Sequence, residues 1–137
     1  MRALPFLLVS GLGMVILCSG CEGDSVTTRD VNLADAACGT AVNARAGNRI
    51  VVNLGSTYWS FQGSSDDSVL RQEGATAYQA SQPCIPGGGC GTASAVFLAV
   101  SGGQALISAS RTSCGEALRC GPGQGEGLCT ITVTVAR

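Results

Sequence analysis

The chain has no histidine and no lysine; all eight basic residues among its 137 are arginine. Without an imidazole, a Ser-His-Asp triad, a Cys-His dyad, histidine metal ligation and a histidine pH switch are excluded together. Charge is scarce as well, at 12% of residues with a net of -1, and no basic run exists that could follow a phosphate backbone. Nucleic acid is therefore not an expected partner. Serine and threonine are plentiful, but only scattered carboxylates are at hand to act as a base, so no enzyme and no cofactor are expected, with a hydrolase as the weakest class considered. Aromatics are 4%, against 20 glycines and 45% hydrophobic residues. That balance points to many turns around a core of small aliphatics, hence β structure rather than helix, in one domain.

What is present begins with an export signal. Met1-Arg2 is a short positive start, Leu4 to Leu17 is an almost unbroken apolar run, and Cys18-Ser19-Gly20-Cys21 closes it with small residues. The run is shorter than the roughly 20 residues a helix needs to cross a bilayer, which disfavours a permanent span. Ser19-Gly20-Cys21 resembles the lipobox of bacterial lipoproteins, in which the cysteine is diacylated and becomes the first mature residue; Cys18 stands where leucine is usual. The expected organisation is a signal peptide over 1–20, a tether over 21–36 attached to the membrane through lipid on Cys21, and a folded domain over 37–137. The protein would then sit in the cell envelope, facing the extracytoplasmic side. The alternative is ordinary secretory cleavage near Gly20 or Gly23.

Cysteine parity bears on that choice. With Cys18 removed and Cys21 lipidated, six of eight remain, namely Cys38, Cys84, Cys90, Cys114, Cys120 and Cys129, the even number three disulfides need. An unlipidated Cys21 leaves a free thiol in an oxidising compartment. Cys84 to Cys90 and Cys114 to Cys120 repeat one spacing around glycines and turn residues, which predicts two local staples. Cys38 and Cys129 are then left to join the two ends of the domain. A zinc site built from four of these cysteines is the rival, with no metal the expectation for an exported chain.

Along the mature chain, Cys38 to Ala44 reads as a first strand, and Ala46-Gly47-Asn48 turns into Arg49 to Leu54, where Ile50, Val52 and Leu54 share a face. Thr57 to Phe61 follows, with Trp59 and Phe61 inward and Tyr58 outward. Short extended pieces are expected at Val69 to Arg71 and Ala77 to Ala80, and Pro83 to Gly91 as a stapled surface loop. Thr92 to Val100 and Gln104 to Arg111 read as a hairpin around Ser101-Gly102-Gly103. Thr112 to Gly127 is a long loop, and Leu128 to Ala136 is a strand with Ile131, Val133 and Val135 inward. About seven strands with frequent turns and one tryptophan predict a disulfide-stapled, all-β immunoglobulin-like sandwich, with a small β-barrel as the alternative.

From about Gly47 to Val135 the order of elements resembles that of the chagasin family, immunoglobulin-like inhibitors of papain-type cysteine peptidases. The residues that carry the likeness are Ala46-Gly47-Asn48 before a valine-rich strand ending in Leu54, a short loop into Trp59, Gly91-Thr92 opening a strand with Phe97, Gly103, and Arg111. The resemblance implies a binding site made by three loops at one end, which sandwich topology also brings together. Ser56, Thr57 and Tyr58 would belong to the first, Gly87, Gly88 and Gly89 to the second, Arg111 and Thr112 to the third. The family's Asn-Pro-Thr-Thr-Gly stretch is missing from the first loop, and only Arg111 stands for its Arg-Pro-Trp-like stretch in the third. Tyr58 is the exposed anchor expected. The expected partner is a cysteine peptidase or another envelope protein, bound by a monomer; the alternative is a lipid-anchored structural or ligand-binding module without inhibitory activity.

Overall fold

In the computed structural model, which describes residues 28–112 and 126–137, alternation of apolar and polar side chains lays down two four-stranded sheets. The strands are β1 (Asp30–Leu33), β2 (Ala41–Arg45), β3 (Arg49–Leu54), β4 (Trp59–Ser64), β5 (Leu70–Ala80), β6 (Gly91–Ala99), β7 (Gly103–Thr112) and β8 (Glu126–Ala136). One sheet has the order β1-β3-β6-β5, the other β2-β8-β7-β4. Among the described residues the only helical element is a single 3-10 turn at Asp35–Ala37. The fold is the expected all-β immunoglobulin-like sandwich.

The pleat decides what is inside. Ile50, Val52 and Leu54 of β3, alanines 93, 95 and 99 with Phe97 of β6, Ala105, Ile107 and Ala109 of β7, and Ile131, Val133 and Val135 of β8 are all buried. At several inward positions a small residue pairs with a larger one, Val52 beside Ala95 and Val133 beside Ala105, while Ile50 pairs with Phe97 and Ile107 with Ile131. The two sheets touch through the rings of Phe61 and Phe97, whose centroids are 6.3 Å apart.

Four expectations need correction. β1 lies inside the stretch read as tether: it pairs in parallel with β3, Asp30 beside Arg49, and packs Val31 and Leu33 against the core, so the folded part starts before residue 37. Cys38 precedes its strand rather than opening it: it closes the 3-10 turn, and Gly39, at φ +77, and Thr40 separate it from Ala41. The two extended pieces in the middle are one long edge strand, β5, with an irregular register between Glu73 and Ala77. Thr92 to Val100 and Gln104 to Arg111 are not a hairpin: β6 pairs with β3 and β5 while β7 pairs with β4 and β8, and the chain crosses between sheets after Ala99. Two short strands with matching apolar faces have the same periodicity whether they lie side by side or face each other across a core.

Two disulfides fix this frame. Cys38 and Cys129 are joined with Cα atoms 4.8 Å apart, tying the connection between β1 and β2 to β8. Cys84 and Cys90 are joined with Cα atoms 5.8 Å apart, as the spacing predicts. The expected Cys114–Cys120 staple, the signal segment and Cys21 lie outside the described residues. At the turn between β4 and β5, the Ser68 hydroxyl and amide both donate to Asp66, holding its carboxyl below the usual carboxylate range.

Candidate functional site

Strand register puts three connections at one end of the sandwich. Leu54, the last residue of β3, pairs with Ala93 near the start of β6; Ala80, the last of β5, pairs with Gly91; Trp59, the first of β4, pairs with Arg111; and Thr112 pairs with Glu126. The β3–β4 connection, the β5–β6 loop and the feet of the β7–β8 connection therefore share a rim, as expected. Residues 113–125 of the third lie outside the described residues.

The first two connections are welded together. The Gly89 carbonyl accepts from the Ser56 hydroxyl at 3.0 Å and from the Thr57 amide at 3.0 Å. Ser56 is a buried polar residue, and its oxygen also accepts from the Tyr58 amide at 3.1 Å, so its hydrogen-bonding capacity is used. From below, the Asp35 carboxylate accepts from the Gly55 amide, at 3.1 and 3.0 Å to its two oxygens. The β3–β4 connection is thus short and held on both sides.

Glycine is required where the loops meet. Gly89 has φ +59, and a Cβ there would fall 2.4 Å from a ring carbon of Tyr58. Tyr58 accordingly serves as the half-buried floor of the stapled loop, not as the free anchor the outward strand position suggests. Gly88 donates to the Ile85 carbonyl at 2.9 Å, and a Cβ on it would press on that oxygen and on Cys84 Sγ at 3.0 Å each. Gly87 is exposed, and a Cβ on it would lie 3.9 Å from the Tyr58 hydroxyl. At the loop's neck the Ser81 amide donates to the Cys90 carbonyl at 3.2 Å.

No protein-family model matches the chain, and no curated protein matches it. Among solved structures, amebosin is similar with a TM-score of 0.54 at 18% identity, covering 79% of this chain and 98% of its own. EhICP2, a cysteine protease inhibitor from Entamoeba histolytica, is similar with a TM-score of 0.56 at 10% identity, covering 80% and 98%. The domain is chagasin-like in fold.

Within the chagasin-like frame, Trp59 is buried at the mouth of the core, and the Arg111 guanidinium lies over its ring, 5.2 Å from the centroid. A cation over an aromatic face is worth about 0.5–2 kcal/mol, which holds Arg111 against the sheet; Thr112 beside it is exposed. The structure therefore brings Ser56, Thr57, Tyr58 and the three loop glycines into one unit, with Arg111 and Thr112 at the root of the third connection. Among the described residues, no cluster of His, Cys, Asp or Glu is arranged to hold a metal.

Sequence reasoning missed two residues of this rim. Asp35 sits in the supposed tether, where nothing marks it as the acceptor for Gly55. Ile85 is 77% exposed on the stapled loop. Its signal was available: a lone large aliphatic between Cys84 and Pro86, in a stretch too rich in proline and glycine to reach a core.

Proposed function

We propose that the protein is a lipid-anchored cell-envelope inhibitor of a papain-type cysteine peptidase, and that it acts through the loop end of its chagasin-like domain. The observation that carries this reading is the welding of the β3–β4 connection to the stapled β5–β6 loop through the Gly89 carbonyl. A loop whose backbone is already ordered loses little conformational entropy when it enters a cleft. The name of EhICP2, a cysteine protease inhibitor on a similar fold, supports the same direction. The anchor reading is supported by Ser19-Gly20-Cys21 and by the parity of the cysteines. β1 starts beside Arg49, at the end of β3 opposite the loops, so lipid on Cys21 would leave the binding end directed away from the membrane. The eight residues from Glu22 to Arg29 reach at most roughly 27–29 Å.

A second reading, an immunoglobulin-like envelope module with no inhibitory action, is favoured by one observation. The β3–β4 connection is clamped by Asp35 and Gly89 and lacks the Asn-Pro-Thr-Thr-Gly stretch that the family inserts. One preparation separates the readings. Full chain extracted from bacterial membranes is expected to carry diacylglycerol on Cys21 by mass spectrometry and to bind a papain-type peptidase one to one by calorimetry. Lipid without binding would leave the module reading; an unmodified N-terminus beyond Cys21 would end the anchor.

A further inference from the structure

The stapled loop carries one large side chain, and that side chain is in solvent. Single exposed aliphatics are ordinary on protein surfaces. Ile85 differs in its company and its mounting. Of five large hydrophobic residues that are exposed among the described residues, the three most exposed, Ile85 at 77%, Leu128 at 76% and Tyr78 at 56%, belong to the loop or to strand segments near the loop end; Val100 and Leu106 are at 39% each. The backbone under Ile85 is held by the Cys84–Cys90 disulfide, by the Gly88 amide on its own carbonyl, by the Ser81–Cys90 neck and by the two donors on the Gly89 carbonyl. Ile85 is β-branched, so few rotamers remain to be frozen. Between Ser81 and Cys90 the loop has no charged residue. An uncharged, pre-ordered mount with one exposed aliphatic suits an apolar pocket and has no charge to offer a carboxylate.

Building on the inhibitor reading, we infer that Ile85 is the specificity-determining residue of the interface. It fills an apolar side-chain pocket in the target peptidase's cleft. It thereby selects peptidases whose pocket accepts aliphatic side chains over those whose pocket ends in a carboxylate and accepts arginine or lysine. Burying an isoleucine side chain completely corresponds to about 10- to 100-fold in affinity.

The experiment measures inhibition by the full chain in detergent, as wild type, I85A, I85V and I85R, against two papain-type peptidases, one preferring aliphatic and one preferring basic side chains. Wild type is expected to inhibit the first more strongly. I85A should weaken that inhibition about 10- to 100-fold and leave the second enzyme nearly unaffected, I85V should stay within about threefold of wild type, and I85R should reverse the preference. Because the side chain is exposed, all variants should melt with wild type, which separates lost contact from lost fold. Wild-type inhibition that I85A leaves unchanged would overturn the role of Ile85 while the inhibitor reading stands. No inhibition of either enzyme by folded wild type would overturn both.

Discussion

Removing the Cys38–Cys129 disulfide by replacing both cysteines with alanine is expected to lower the unfolding free energy by about 4–5 kcal/mol, the largest single effect in the molecule. The bond joins positions 91 residues apart, and the entropy taken from the unfolded chain grows with the length of the closed loop. Alanine is preferable to serine because Cys129 is buried, and a hydroxyl there would need a partner. A domain of this size has only about 5–15 kcal/mol in hand, so the variant should unfold at markedly lower denaturant concentration, followed by Trp59 fluorescence. Wild type measured in strong reductant should approach the variant. A loss below about 1 kcal/mol would mean that the denatured chain is already constrained without the bond.

Gly89→Ala is expected to have the second largest effect, and to have it through one neighbour. Its Cβ would fall 2.4 and 2.5 Å from two ring carbons of Tyr58, and φ is +59. The left-handed backbone alone costs an alanine about 1–2 kcal/mol, and the overlap should raise the total to about 2–4 kcal/mol. The same displacement would pull the Gly89 carbonyl from Ser56 and Thr57, separating the two loops, so inhibition should weaken by at least about tenfold. Made in a Y58A background, G89A should cost only the backbone part, since the ring is gone. The difference, about 1–2 kcal/mol by denaturant titration, measures the contact. Additive costs would show that Tyr58 is not the floor of the loop.

Much of this architecture could be read from residue order because its strands obey a single rule. Arg49–Leu54 and the inward Ile131, Val133 and Val135 of β8 alternate cleanly, so their span and facing were legible before any coordinates. The Cys84–Cys90 staple was legible because prolines and glycines leave that stretch nothing else to be. Other features turn on information that alternation does not carry. β1 is four residues long and pairs in parallel with a distant strand, so it has no turn beside it to announce a partner. β6 and β7 have the periodicity of a hairpin, but which sheet each joins depends on partners far along the chain. Strand parity over Thr57 to Phe61 puts Tyr58 on the solvent side, but β4 begins only at Trp59, so Tyr58 belongs to the turn before it and is covered by the stapled loop. Asp35 acts on Gly55 twenty residues away, and no local signal links them.

Whether the loop end blocks a cysteine peptidase cleft is decided by steady-state titration. Full chain in detergent would be added to a papain-type peptidase of known active-site concentration, beside the same enzyme already filled by a covalent peptidyl ligand. Activity is expected to fall to zero at one inhibitor per active site, and the filled enzyme should no longer capture the inhibitor. Full activity at micromolar concentrations of folded protein, or equal capture by the filled enzyme, would rule out a loop end that blocks the cleft.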